Sequence, residues 1–222
     1  NPLFCDTDDN DYSLASNSPA IGMGALGVGC GELEDTGYYG PWYISVNGSD
    51  SNGDGTESSP FATIQAGINE ALSSDTVLVG PGTYNEEINY KGKQIVVMST
   101  SGADSTVIYN TSTTVNFNTQ EGSSAILDGF TLTGSSDYGI YINSYSKPTL
   151  RNLVINNKKK GIYLNYDCDV TITNVTITDN DYGIYFNSSQ SAVTLTKSII
   201  WDHTSVPIYI DASSGITITY SD

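Results

Sequence analysis

A five-residue pattern, Gly-Ile-Tyr-x-Asn, recurs along the second half of this chain at nearly constant spacing. Its copies occupy residues 139–143, 161–165 and 183–187, and a looser copy, Pro-Ile-Tyr-Ile-Asp, occupies residues 207–211. Successive copies are 22, 22 and 24 residues apart. Units of this length that hold only short strands cannot bury their apolar faces alone, and they stack as coils of a β-solenoid. The repeat therefore predicts an all-β parallel β-helix.

A second apolar pattern repeats in step with the first and supports the same fold. Its copies begin at Leu127, Leu150 and Ile172, each followed by apolar residues three and five positions later, and a weaker copy begins at Leu195. A leucine-rich repeat would need more leucine positions, and a propeller blade would be about twice as long. With the short apolar segments upstream, the repeats predict roughly seven coils. Apolar residues at helical spacing predict a short capping helix at about 61–72, at the N-terminal end of the solenoid.

The charge balance excludes two classes of partner. The 222 residues include 25 acidic and 8 basic side chains, for a net charge of −17. Such a surface repels nucleic-acid phosphates and anionic lipid, so we expect no nucleic-acid partner. Because no run of about 20 apolar residues is present, we also expect no membrane insertion. The only basic run, Lys158-Lys159-Lys160, is predicted to be an exposed, solvated turn.

Alternation along the repeated strand places its tyrosines on the outer face, one above another at about 4.8 Å per coil. This row consists of Tyr141, Tyr163, Tyr185 and Tyr209. Two interpretations remain open: the rings stack on each other, or their flat faces bind sugar rings, since tyrosine joins an apolar body to a polar tip. The residues that follow each strand predict a structural ladder in a turn, with side chains bonding adjacent coils. That ladder consists of Asn143, Asn165, Asn187 and Asp211.

One loop has the composition of a small calcium site. Asp50, Asn52 and Asp54 stand at alternate positions, Gly55 allows a sharp turn, and Glu57 lies close by. Alternating oxygen ligands around a glycine are how short loops hold Ca²⁺. The loop is therefore either a Ca²⁺ site of low affinity or an ordinary polar turn, and no other cofactor is expected.

Three segments at the start of the repeat region carry a family resemblance. They are Trp-Tyr-Ile-Ser-Val-Asn-Gly-Ser-Asp at 42–50, Pro-Phe-Ala-Thr-Ile-Gln at 60–65, and Asp-Thr-Val-Leu-Val-x-Pro-Gly-Thr-Tyr-x-Glu at 75–86. These segments resemble the opening of right-handed parallel β-helix proteins of the pectin-lyase-like superfamily. The resemblance implies right-handed coils. It indicates the fold better than the activity, because that group includes lyases, hydrolases, adhesins and surface proteins.

The N-terminal segment resembles the piece that usually closes such a β-helix after its last coil. The resemblance implies a closing or linker-like segment at 1–40 and the parallel β-helix at 41–222. It places Cys5 and Cys30 at the two ends of the closing piece and implies a disulfide between them, with two unpaired thiols as the alternative. A disulfide fits a secreted or cell-surface protein, and Cys168 would then be a free thiol.

Two function classes remain. One is an extracellular structural or adhesive module that continues end to end, as a filament of copies or as one unit of a longer tandem chain. The other is a carbohydrate-binding or polysaccharide-degrading, lyase-like β-helix that contacts glycans. A lyase needs clustered carboxylates and a nearby base, whereas the chain has a single arginine, Arg151, and a single histidine, His203. Coils of 22 residues also leave no long loops to wall a cleft, so we expect no catalytic residues and favour the structural module.

Overall fold

The computed structural model describes residues 40–135, 137–187, 190–210 and 214–221, together with the backbone of two short strands near the N-terminus. The chain forms two units, Asn1–Tyr38 and Tyr39–Asp222. In the first unit, strands β1 (Phe4–Asp6) and β2 (Asp11–Leu14) pair antiparallel. No helix in the described part of the chain is long and apolar enough to cross a membrane.

The second unit is built from short strands and one helix among its described residues. The helix, α1, spans Ile64–Glu70. The strands are β3 (Trp42–Ile44), β4 (Thr76–Val79), β5 (Gly82–Tyr84), β6 (Ile88–Asn89), β7 (Val96–Ser99), β8 (Thr106–Tyr109), β9 (Val115–Phe117), β10 (Ile126–Asp128), β11 (Thr131–Thr133), β12 (Tyr138–Ile142), β13 (Thr149–Arg151), β14 (Val154–Ile155), β15 (Lys160–Leu164), β16 (Asp169–Thr173), β17 (Thr176–Thr178), β18 (Tyr182–Phe186), β19 (Ala192–Thr196), β20 (Ile199–Trp201), β21 (Val206–Tyr209) and β22 (Gly215–Thr219).

These strands form three parallel sheets, and each coil gives one strand to each sheet in turn. Sheet 1 has the order β22-β19-β16-β13-β10-β7-β4-β3, sheet 2 the order β20-β17-β14-β11-β8-β5, and sheet 3 the order β21-β18-β15-β12-β9-β6. This topology confirms the predicted parallel β-helix. The described residues hold six complete coils, from β4–β6 to β19–β21. The prediction of roughly seven was slightly high, because only β22 of a seventh coil is present.

The repeat keeps its register from coil to coil, even where its length changes. Ile140 pairs with Ile162, and Ile162 with Ile184, at an offset of 22 residues. Strand β19 pairs with β16 at an offset of 23, so the extra residue falls in the turn before β19. Because a one-residue slip inside a strand would turn every side chain to the opposite face, extra residues are accommodated only in turns.

The core is a column of stacked apolar side chains inside each sheet. In sheet 1, the inward positions of successive coils are all fully buried, and they hold Val77, Val97, Leu127, Leu150, Ile172 and Leu195. In sheet 3, Ile140, Ile162 and Ile184 form an equivalent buried column. Each strand is too short to bury its apolar face alone, so the stability of a coil depends on the coils on either side of it.

Helix α1 covers the N-terminal end of the coils. Ile64 and Ile68 are fully buried, and a Cβ atom at Gly67 would lie 2.6 Å from Ile44 Cδ1, so the helix packs very closely on β3. The helix is shorter than the predicted 61–72. Phe61 forms a parallel bridge with Ile44, and Thr63 is the N-cap, its Oγ1 accepting the N–H of Ala66. The chain is therefore still extended at Phe61 and becomes helical only after Thr63.

The cap predicts a specific pattern of destabilisation. Ile68→Ala should lower the free energy of unfolding by about 3 kcal/mol, because it leaves a cavity at the closed end of the core. Glu70→Ala, on the exposed side of the same helix, should change it by less than about 0.5 kcal/mol. Urea unfolding of both variants measures the difference. Equal losses would show that the helix does not close the core.

Candidate functional site

The repeated tyrosines form a continuous ladder on the outer face of sheet 3. Tyr141, Tyr163, Tyr185 and Tyr209, called here the tyrosine ladder, are paired in register on β12, β15, β18 and β21. Their ring centroids lie 5.7, 5.7 and 4.4 Å apart, with interplanar angles of 13°, 27° and 14°. Most of the flat ring surface inside the ladder is therefore occupied by a neighbouring ring. A sugar ring could reach the edges and hydroxyls of these tyrosines more readily than their faces.

A lysine lies among the rings. Lys160 is in register between Tyr138 and Tyr182, and its Nζ is 4.3 Å from the ring centroid of Tyr185 and 4.7 Å from that of Tyr163. Burial lowers the pKa of the Lys160 ammonium, and the adjacent Lys159 lowers it further. Burial also raises the pKa of Tyr163 to about 12. Because Lys160 Nζ lies this close to the rings of Tyr163 and Tyr185, it makes cation–π contacts that stabilise this face.

The basic run is not the solvated turn predicted from the sequence. Only Lys159 is exposed, and Lys158 is buried with its Nζ donating hydrogen bonds to the carbonyls of Asn110 and Ser112. These carbonyls belong to the coil two below its own. The side chain can reach them because the coil between has Gly134, where a Cβ atom would lie 1.8 Å from the Asn110 carbonyl oxygen and 2.8 Å from Lys158 Nζ.

The predicted structural ladder has one direct bond between coils among its described members. Asn187 Nδ2 donates to Asn165 Oδ1 at 3.2 Å. Asn143 Nδ2 instead donates to the hydroxyl of Tyr141 at 3.0 Å, which ties the end of β12 to the tyrosine ladder. Asp211 lies outside the described residues.

A more regular asparagine ladder, which the sequence analysis missed, lies in the turn between sheets 1 and 2. Asn174 Nδ2 donates to Asn152 Oδ1 at 2.8 Å, and Asn152 Nδ2 donates to Asp128 Oδ1 at 2.6 Å. Asn152 and Asn174 both have φ of 55°, a left-handed conformation that asparagine tolerates. Their separation of 22 residues was a signal that could have identified them.

The residues of the predicted calcium loop are engaged in separate hydrogen bonds. Asp50 accepts the N–H groups of Ala62 and Thr63 at 2.7 and 3.0 Å and the Thr63 hydroxyl at 2.7 Å, just before α1. Asp54 Oδ1 accepts from the hydroxyl and N–H of Thr56, and these bonds lower the pKa of Asp54.

Asn52 and Glu57 are exposed beside them. Within the described residues, no three His, Cys, Asp or Glu side chains lie close enough together to hold a metal ion. Calcium binding at this loop stays a prediction.

The cysteines fall into two groups. Cys5 and Cys30, the predicted disulfide partners, have side chains outside the part that the structure describes. Cys168 is a buried free thiol that donates to the carbonyl of Asn165, and burial raises its pKa to about 11. It therefore packs as a small side chain and is not an activated thiolate.

Of the two residues considered for catalysis, Arg151 is the last residue of β13 and His203 lies in the turn after β20. Arg151 Nε donates to Asp128 Oδ2 at 2.7 Å, next to the asparagine ladder. His203 Nδ1 lies 3.3 Å from the backbone nitrogen of Asn180, and burial lowers the pKa of the imidazole. Asp128 ends β10, just before a sheet 2 strand, whereas His203 follows a sheet 2 strand, so the structure does not bring these groups to one centre.

Comparison with known proteins agrees with the fold. Residues 113–222 match the family model described as a right handed beta helix region, and residues 46–91 match the model described as a protein of unknown function (DUF1565). No curated protein matches the sequence. Among solved structures, the chain is similar to a mutant pectin methylesterase in complex with a hexasaccharide, with 11% identity, a TM-score of 0.43, and coverage of 82% of this chain and 67% of that one. The match over residues 113–222 and the sheet topology together show that the chain folds as a right-handed parallel β-helix.

The buried amine of Lys158 predicts a pH dependence of stability. Burial lowers its pKa from 10.5 to about 8 in the folded chain. At pH values between these two, the unfolded chain binds a proton that the folded chain does not, so the contribution of Lys158 to the free energy of unfolding rises with pH. That contribution should increase between about pH 8 and pH 9.5, before tyrosine ionisation in the unfolded chain opposes it.

Urea unfolding across this pH range tests the prediction. Relative to Lys158→Met, the parent chain and Lys159→Met, the exposed neighbour, should gain stability as the pH rises through this range. A Lys158→Met variant with the same pH profile as the parent chain would contradict it.

Proposed function

We propose that this protein is a secreted or cell-surface structural module whose solenoid continues end to end with another unit. The neighbouring unit is either a second copy, which would give a filament, or an adjacent repeat of a longer chain. The proposed module is not an enzyme, because its repeats use their polar side chains in turns and ladders.

The observation that carries the proposal is the inward column of sheet 1. Its members from Val77 to Leu195 are 0% exposed, whereas Ile218 at the equivalent position of β22 is 49% exposed. Ile218 pairs directly with Leu195 on the preceding coil, so it faces the same core. An inward apolar side chain is stabilised when a further coil or a capping segment covers it.

The rest of the last coil is also apolar and open. A recess of about 230 Å³ is lined by Leu195, Ile200, Pro207, Ile208, Ile218 and Ser221. Seven of the twelve exposed large apolar side chains among the described residues lie between Ile199 and Tyr220. Exposed apolar surface of this kind, next to unpaired strand edges, is typical of an interaction site.

The other end of the solenoid is covered by α1, so it offers no open coil for pairing. We therefore propose that the covering piece is the N-terminal segment, residues 1–40, of the neighbouring unit, which resembles a closing segment. Such a contact joins two different surfaces and does not close on itself, so it would propagate along the axis.

Sedimentation over a range of protein concentrations tests the version with separate copies. The parent chain and Thr217→Lys, a change on the outer face of β22, should associate, and Ile218→Lys should remain monomeric because it places a charge in the interface. Association of Ile218→Lys equal to that of the parent chain would contradict the proposed surface. Parent molecules that stay monomeric at the highest concentration would exclude the filament.

A fusion of two copies in tandem tests the version with repeats. Burial of Ile218 and Ile210 at the junction should raise the midpoint of urea unfolding above that of the single copy. An unchanged midpoint would exclude that version.

Carbohydrate binding is a second candidate function. It is favoured by the hydroxyl edges of the tyrosine ladder and by Lys160 Nζ beside them, since tyrosine edges and a cation can contact sugar hydroxyls. This candidate concerns the side of the solenoid and is compatible with continuation at its end.

A further inference from the structure

Two tyrosines outside the ladder are largely exposed to solvent. Tyr145 and Tyr166 are 58% and 60% exposed, and neither ring has an aromatic partner among the described residues. They lie in the turns that lead from sheet 3 to sheet 1, between β12 and β13 and between β15 and β16. Their rings are therefore more open to a ligand than those inside the ladder, where Tyr163 is 9% exposed.

The backbone holds these two residues together and in a fixed position. The N–H of Tyr145 donates to the carbonyl of Tyr166 at 3.1 Å, although the two belong to different coils. Each turn also contains a fully buried side chain that forms a hydrogen bond. Ser146 Oγ donates to Glu121 Oε2 at 2.7 Å, and Cys168 Sγ donates to the Tyr166 carbonyl at 3.3 Å. Because the turns are already ordered, a ligand would pay little conformational entropy to use them.

An ion pair lies beside the two turns that hold Tyr145 and Tyr166, and we call this region the corner. The ion pair supplies hydrogen-bonding groups. Lys147 Nζ lies 2.6 Å from Asp169 Oδ2, and both side chains are about half exposed. Lys147 follows Tyr145 by two residues, and Asp169 follows Tyr166 by three. The corner therefore combines two uncovered rings with one cationic and one anionic group that can donate to and accept from hydroxyls.

The charge of the protein selects among the ligands that such a corner could bind. A pyranose ring has an apolar face that packs on an aromatic ring and a rim of hydroxyls, which matches rings flanked by an ion pair. The net charge of −17 disfavours a polyanionic glycan, and the charge of Lys147 is already balanced by Asp169.

We propose that Tyr145 and Tyr166 form a stacking platform for a neutral glycan, with Lys147 and Asp169 binding its hydroxyls. This site is distinct from the tyrosine ladder and does not depend on the end-to-end continuation proposed above. The two proposals are tested by different measurements, so one can fail without the other.

Calorimetric titration with neutral hexasaccharides tests the platform, using glucan, mannan and xylan fragments as probes and a hexagalacturonate as the anionic comparison. At least one neutral probe should bind, and the double variant Tyr145→Asn, Tyr166→Asn should weaken its binding by about tenfold or more. Asparagine is chosen because Tyr145 and Tyr166 have φ of 63° and 51°, which asparagine tolerates.

Two further variants separate stacking from simple loss of structure. Tyr220→Asn is the matched control, because Tyr220 is also exposed with φ of 51°, and it should leave binding unchanged. Tyr145→Trp should preserve binding, since it keeps a flat ring at the site. Urea unfolding should show the same midpoint for the double variant and for the Tyr220→Asn control.

Three titration results would overturn the proposal. They are the absence of binding to every neutral probe, binding to the hexagalacturonate alone, and neutral binding that the double variant leaves intact. Loss of self-association in the double variant, without any glycan binding, would assign the platform to contact between copies and would also overturn it.

Discussion

In-register stacking of identical positions is the constraint on which this structure depends. Each coil contributes only short strands, so an inward side chain is buried by the same position of the coils above and below it, as in the column from Val77 to Leu195. Register must then be kept over the whole solenoid, and insertions are confined to turns. Among the described residues, Ile218 pairs with a strand on one side only, and by the same rule it is only half buried.

In-register stacking also produces the tyrosine ladder on the outer face of sheet 3. Because an outward tyrosine recurs in four successive coils, the four rings lie at stacking distance and cover one another. A repeated aromatic residue is thus poorly suited to binding a ligand by its face. Free faces occur where the repeat is interrupted, as at Tyr145 and Tyr166, which stand at different positions within their turns.

Much of the fold could be predicted from the sequence, because periodicity reports directly on stacking. The repeat predicted the parallel coils, the inward isoleucines and the outward tyrosines. Contacts between different kinds of turn could not be predicted in this way. For Asp50 the sequence left open a calcium ligand or a polar turn, and neither pattern could report that its carboxylate accepts hydrogen bonds just before α1, twelve residues away. The burial of Lys158 was missed because it depends on Gly134, which belongs to another coil. The basic run itself contains no pattern that indicates this contact.

The hydrogen bonds of Lys158 give the solenoid a property that simple stacking does not. A solenoid whose coils touch only their neighbours behaves as a one-dimensional series, and it can unravel from an end one coil at a time. Lys158 joins its own coil to Asn110 and Ser112, two coils below, across the gap at Gly134. This contact with the next-nearest coil should couple the unfolding of three consecutive coils. Fraying that begins at β22 should therefore stop at the coil that contains Lys158, and the tyrosines of the outer coils would separate before these three coils open.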